Sequence, residues 1–221
     1  MNVGVCEDDP VIRDVLVRGL RHLGHDVVAA HDGAEAIALF VGSPLDAVVL
    51  DIGLPDSDGR DVCLALRASG QAAPVLFLTA LGETHDVLAG FGAGADDYVA
   101  KPVELSVLAA RLEALARRAP REVGDDSLAL DPRRHAVRTP GGEALLSPTE
   151  FRMLALLLGR RGEVVRRREV LAAGWPDGAI VQDNTVDAFV HKIRKKLASV
   201  EAPVTVETVR GVGYRVPDDR G

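Results

Sequence analysis

Apolar residues follow two alternating rhythms along the first half of the chain. Short continuous apolar runs at Asn2–Glu7, Val27–Ala30, Ala47–Asp51, Val75–Thr79 and Asp97–Val99 predict strands buried on both faces. Between them, apolar positions recur at helical spacing. Val11, Val15, Leu16, Leu20 and Leu23 share one stripe of a helix predicted over Pro10–Leu23, which Gly24 ends. Further helices are predicted over Ala34–Phe40, Arg60–Ala68, Glu83–Phe91 and Leu105–Arg118. This succession of β–α units predicts a parallel, doubly wound α/β sheet of (βα)5 type.

The rhythm then breaks. Pro120 to Asp126 is short, polar and without period, and reads as a linker. Beyond it, Ser127–Leu130, His135–Arg138 and Ala144–Leu146 predict short antiparallel strands, turned at Pro132 and at Pro140-Gly141-Gly142. Ser147-Pro148-Thr149-Glu150 predicts a helix start, with Ser147 as N-cap and Glu150 closing a capping box. That helix runs through Met153, Leu154, Leu157 and Leu158 to Gly159. Helices over Arg168–Ala173 and Thr185–Ala198 follow, then a hairpin of Val204–Val209 and Tyr214–Val216. The domains are accordingly set at 1–118 and 125–219, joined by residues 119–124.

Polar residues gather where the first-half strands end. Glu7-Asp8 follow the first, Asp51 ends the third, Thr79 ends the fourth, and Lys101-Pro102 follow the fifth. In an open parallel sheet these carboxyl ends share one edge, where ligands bind. Carboxylates, a hydroxyl and an ammonium converging there suit a divalent metal plus a phosphoryl group. Asp9, ahead of Pro10, reads as a helix N-cap.

Charge separates the halves. Residues 1–119 hold 9 basic and 18 acidic side chains, whereas residues 120–221 hold 17 and 15. The basic residues of the second half cluster at Arg160-Arg161, Arg166-Arg167-Arg168 and Lys192–Lys196. An acidic half joined to one with basic clusters suits a regulatory domain attached to a nucleic-acid reader. No apolar run is long enough to span a bilayer, and the N-terminus enters a strand pattern without a basic flank, so no signal peptide is expected. Cys6 and Cys63 lie inside apolar patterns and read as buried reduced thiols. A cytoplasmic location is expected.

Glu7-Asp8, Asp51 in Asp-x-x-Leu-Pro-x-x-x-Gly, Thr79-Ala80 and Lys101-Pro102 together resemble the CheY-like receiver domain of two-component response regulators, over nearly all of residues 1–118. The resemblance implies that Asp51 accepts a phosphoryl group from a sensor histidine kinase. It implies Mg²⁺ held by Asp8, Asp51 and the carbonyl of Gly53, with Glu7 acting through water. Hard oxygen ligands of this kind suit Mg²⁺. Lys101 and Thr79 would engage phosphoryl oxygens, and Tyr98 occupies the aromatic switch position paired with Thr79. No catalysis beyond the chain's own phosphorylation and dephosphorylation is implied.

Residues 125–217 resemble the winged helix-turn-helix effector of the OmpR/PhoB family. The matching segments are Leu146–Phe151, Thr185-Val186-Asp187, Ile193–Leu197 and Thr208–Tyr214. In the helix from Thr185, Val186, Val190, Ile193 and Leu197 form a core stripe. Asn184, Ala188, His191, Lys192 and Lys195 then share the face turned to the major groove, with Thr185 at its start. His191 is a reader or a bystander on that face. Arg194 flanks it and either touches phosphate or stabilises the fold. Thr208 and Arg210 stand at the wing, for minor-groove or phosphate contact. The partners implied are double-stranded DNA carrying repeated promoter sites, the kinase, a second copy of the chain and RNA polymerase; no membrane is implied.

Some positions depart from the family pattern. Asn184 stands where Arg is usual, and Phe189 where His is frequent. In the family's receiver dimer an Arg–Glu bridge maps onto Val87 and Val107, both apolar here, while the partners of a second bridge, Asp97 and Arg111, remain. With Leu88, Phe91 and Ala110 they predict a dimer face more hydrophobic than usual; the alternative is that both valines face the core. Two other functions are weighed. An aspartyl-phosphate phosphatase is disfavoured because no segment forms a substrate pocket or cap. A phosphorylation-independent DNA-binding regulator, its receiver serving as a dimer platform, remains the alternative.

Overall fold

The computed structural model describes residues 1–80, 96–116, 128–175 and 185–218. The first part is a five-stranded parallel sheet of β1 (Asn2–Cys6), β2 (Asp26–Ala30), β3 (Ala47–Asp51), β4 (Val75–Ala80) and β5 (Asp97–Lys101), in the order β2-β1-β3-β4-β5. Its strands are apolar throughout because both faces are covered. Phe40, Val62, Cys63, Leu66 and Phe77 belong to the core on one side, and Leu16, Leu20, Leu108 and Leu112 to that on the other.

The helices described here are α1 (Pro10–His22), α2 (Gly33–Phe40), α3 (Gly59–Ala68) and α4 (Leu105–Ala116). The starts of α1, α2 and α3 answer a local signal. Asp9 caps α1 by accepting from the Val11 and Ile12 amides at 2.8 and 3.1 Å, with Pro10 in the first turn. Asp32 caps α2 and Asp58 caps α3. The helix expected over Glu83–Phe91 and the linker over 119–124 lie outside the described residues.

The second part holds two three-stranded sheets: β6 (Ala129–Asp131), β7 (Ala136–Thr139) and β8 (Gly142–Leu145), then β9 (Val165–Arg166), β10 (Glu207–Val209) and β11 (Gly213–Arg215) in the order β10-β11-β9. Between them stand α5 (Pro148–Leu158), α6 (Arg167–Gly174) and α7 (Thr185–Ser199). The capping box at Ser147 is formed in both directions: Ser147 Oγ accepts the Glu150 amide, and Glu150 accepts the Ser147 amide. Two expectations differ. Val204–Val206 is not strand, although Val204 and Val206 are buried, and the two-residue β9 was not expected. A strand that short carries no period to read.

Gly211, with φ +74°, turns the hairpin between β10 and β11. At Gly213 a Cβ would stand 2.0 Å from the Val165 carbonyl oxygen, so the β9–β11 approach requires glycine there. The described parts of the two halves also touch. Leu64, Ala65 and Ala68 of α3 share an apolar cluster with α5 and its neighbours.

Candidate phosphoryl site and nucleic-acid interface

β1, β3, β4 and β5 deliver their polar ends to one edge. Carboxylate oxygens of Glu7, Asp8 and Asp51 lie within 4.8 Å of one another. Glu7 and Asp51 are buried, Asp8 is exposed, and Gly53 is exposed just past β3. Lys101 reaches across the cluster, its Nζ 2.8 Å from Glu7 Oε2 and 2.9 Å from Asp51 Oδ2. Burial opposes the charge on both Glu7 and Lys101. For Glu7 burial prevails, with Asp51 adding to it, and its carboxyl is raised above the ordinary range despite the hydrogen bond from Lys101. For Lys101 the hydrogen bonds and attraction from Glu7 and Asp51 prevail, and the ammonium is held more firmly protonated than usual.

The loop after Asp51 is anchored by contacts that sequence reasoning missed. A Cβ on Gly59 would stand 2.0 Å from the Asp51 carbonyl oxygen, so α3 begins pressed against the strand end. Asp56 accepts from the Gly33 and Ala34 amides at 2.8 and 3.0 Å, which seats the loop on the N-terminus of α2. Asp58, directly before Gly59, was a readable cap signal; Asp56 was not, because its partners lie 23 and 22 residues away. Thr79 is buried at the end of β4, and the Tyr98 ring lies 5.5 Å from that of Phe77, centroid to centroid.

Asp97 and Arg111, expected to bridge between two copies, pair within one chain at 2.6 Å. Arg111 follows Asp97 onto the neighbouring helix, so the intramolecular partner is already at hand. Val107 is 43% exposed, which rules out the core reading for that residue. Ala110 is exposed beside it, while Val87, Leu88 and Phe91 lie outside the described residues.

In α7 the stripe of Val186, Val190, Ile193 and Leu197 is buried, and Ala188, His191, Lys192 and Lys195 are exposed. Thr185 is half-buried and Asn184 lies outside the described residues. Lys192 Nζ sits 5.0 Å above the Phe189 ring, whose edge meets Trp175. Thr208 and Arg210 are exposed at the wing. Arg194 turns toward the wing: Nε donates to the Val206 carbonyl at 2.6 Å and Nη2 to Thr208 Oγ1 at 2.8 Å. A second tie had no reading from sequence. The Asp187 carboxylate accepts from Arg167 at 2.9 Å and from the Tyr214 hydroxyl, joining α7, α6 and β11. Burial, then the bond to Asp187, pushes the Tyr214 phenol up to about 12.

With this arrangement in view, likeness to known proteins is specific. Residues 3–113 match the family described as "Response regulator receiver domain", and residues 141–216 match "Transcriptional regulatory protein, C terminal". The chain belongs to the OmpR/PhoB-type response regulators. This response regulator is 41% identical to "Transcriptional regulatory protein TcrA" of Mycobacterium tuberculosis, over 98% of this chain and 87% of the relative. It is 39% identical to "Transcriptional regulatory protein AfsQ1" of Streptomyces coelicolor, over 96% of each. Among solved structures, the receiver domain of the Francisella response regulator 1452 matches with a TM-score of 0.50 and 32% identity, over 53% of this chain and 97% of that one. The response regulator is thus a phosphorylation-controlled transcription regulator of a two-component system, with DNA and a histidine kinase as partners. Among the described residues, no helix is long and apolar enough to cross a membrane.

Proposed function

We propose that Asp51 is the phosphoacceptor and that its phosphorylation controls how two copies of the chain meet on DNA. The observation that carries this is the seating of Asp51: buried, within 4.8 Å of Glu7 and Asp8 oxygens, and 2.9 Å from the Lys101 ammonium. A carboxylate is a weak nucleophile, so its reaction depends on positioning and on neutralising charge. An Asp51 oxygen attacks the phosphorus of the kinase phosphohistidine. The P–N bond breaks, and its electron pair stays with the imidazole nitrogen. Lys101 pairs with a phosphoryl oxygen, and the Thr79 hydroxyl donates to another.

The acidic, oxygen-only donor set fits Mg²⁺, with Asp8, Asp51 and the Gly53 carbonyl as ligands and Glu7 acting through water. When bound, the ion supplies positive charge that offsets the anionic phosphoryl group. Tyr98 acts with Thr79 as the switch. The dimer face comprises Asp97, Val107, Ala110 and Arg111, together with Val87, Leu88 and Phe91. The chain acts as two units, 1–118 and 125–219, joined by 119–124. It works in the cytoplasm, where its two buried cysteines, neither held in a disulfide, are at home. Its chemistry is confined to its own aspartyl phosphate.

On DNA, Ala188, His191, Lys192 and Lys195 enter the major groove, with Asn184 and Thr185 at the entry. Thr208 and Arg210 reach the flanking groove or phosphates, and Arg194 holds the wing to the reading helix. RNA polymerase is the further partner at the promoter.

Acetyl phosphate and Mg²⁺ should add one phosphoryl mass to the wild-type chain, located to Asp51 by peptide mapping and absent from Asp51→Asn. An unmodified wild type, or a phosphoryl group on another residue, overturns the assignment. Equal operator binding by Asp51→Ala and phosphorylated wild type would instead favour a regulator that ignores its phosphate.

A further inference from the structure

Helix α3 faces two ways. Val62, Cys63 and Leu66 belong to the core beneath the parallel sheet, whereas Leu64, Ala65 and Ala68 belong to the apolar cluster of the DNA-binding half. The fit is close. A Cβ on Gly159, just past α5, would stand 3.2 Å from the Cβ of Arg67.

One charge sits inside this contact. Asp61, in the first turn of α3, is 1% exposed. Its carboxylate accepts from Arg152 Nε of α5 at 2.7 Å and from His135 Nε2 at 3.0 Å. His135 stands in the β6–β7 turn with φ 45°, in the left-handed region, and its ring meets the Phe151 ring edge-on at 5.1 Å. Arg152 also lies 3.9 Å from Asp58, the cap of α3. Both strong partners of Asp61 therefore come from the other half of the molecule. Burial pushes the Asp61 carboxyl up, but the bonds from His135 and Arg152 more than offset this and hold it below the ordinary range.

We propose that the α3 face of the receiver is the docking surface for the DNA-binding half of the same chain, and that Asp61 with Arg152 and His135 is its catch. A buried ion pair is a weak source of net stability compared with apolar packing, yet removing Arg152 leaves the buried Asp61 carboxylate with only the His135 imidazole, and removing Asp61 leaves the Arg152 guanidinium with only Asp58, 3.9 Å away, so the remaining charge is better satisfied in water. Here water is reached by undocking, because separation of the halves exposes both groups. The catch thus makes docking depend on both partners at once. It operates in the unmodified chain and does not rest on Asp51 accepting phosphate. The docked form leaves Ala188, His191, Lys192 and Lys195 exposed, so the contact governs the placing of the reading helix and not its accessibility.

A double-mutant cycle on the full-length, unphosphorylated chain tests this. Asp61→Leu and Arg152→Met are made singly and together. Docking is read as the radius of gyration in X-ray scattering and as relaxation of the Leu64 methyl protons by a soluble gadolinium chelate. Circular dichroism and the spectrum of the two domain cores confirm folding. Each single change should shift the docking equilibrium toward the open form by about tenfold or more, expanding the molecule and exposing Leu64. The double change, which leaves no orphan charge on this pair, should recover compaction and protection. Single variants as compact and protected as wild type overturn the proposal. So does a double variant as open as the singles, since the pair would then not act through unpaired charge.

Discussion

At Glu7 the protein keeps a carboxylate that its surroundings oppose. Its pKa is raised, so across the interval above the ordinary glutamate value the folded state binds more protons than the unfolded chain, and stability falls as pH rises through that interval. In metal-free protein, Glu7→Gln should therefore raise the thermal midpoint, by about 2–4 °C if the relief is near 1 kcal/mol, while Lys101 keeps Asp51 as partner. The same variant should be phosphorylated more slowly by acetyl phosphate. A lowered midpoint in chelator would show that the Glu7–Lys101 pair outweighs the burial. Gly59 makes the opposite case, of a residue kept small. Gly59→Ala puts a Cβ 2.0 Å from the Asp51 carbonyl, a backbone atom that has no rotamer to change. We expect a loss of about 1–3 kcal/mol in urea titrations, with slower modification of the displaced Asp51.

Among the elements, those with a local signal were readable. The five strands, the Asp9 and Ser147 caps and the buried stripe of α7 follow from period and capping chemistry, which depend on neighbours within a few residues. What escaped was set by distant partners. Asp56 on the α2 terminus, Asp187 with Arg167 and Tyr214, the paired β9, and Asp61 across the two halves have no trace in local spacing. The first-half site was legible for a related reason: parallel topology brings strand ends together without needing long-range detail. Glu150 shows one element serving two others. It closes the cap of α5 and accepts from Lys196 of α7, and is itself 3% exposed. Burial raises its carboxyl, but Lys196 and the Ser147 amide outweigh that and lower it. Its contribution is therefore complete above the ordinary glutamate pKa of about 4.3 and is lost as pH falls through the lower folded value. Glu150→Gln should lose about 1–2 kcal/mol at pH 7 by thermal unfolding, and the difference from wild type should shrink in acid.

For the whole molecule, the surface around α4 bears on assembly. Val107 is exposed where the family pattern carries a charge, and Arg111 already satisfies Asp97 within the chain. Exposed ion pairs contribute about 0–1 kcal/mol and weaken with salt, whereas apolar contact does not. The proposed phosphodonor-induced dimer should accordingly change its dissociation constant by less than about threefold between 0.05 and 0.5 M NaCl in sedimentation equilibrium; a tenfold weakening would return the contact to charge pairing. The open lysine face of α7 carries a separate consequence. Because Lys192 and Lys195 stay exposed beside the described residues of the docked receiver, the resting protein should already skate along arbitrary duplex, held by displaced counterions. Its affinity for random-sequence DNA should drop steeply with salt and be measurable before any treatment with phosphodonor. Activation would then recruit pairs from molecules already resident on the chromosome, and the response time would be set by encounters along one dimension.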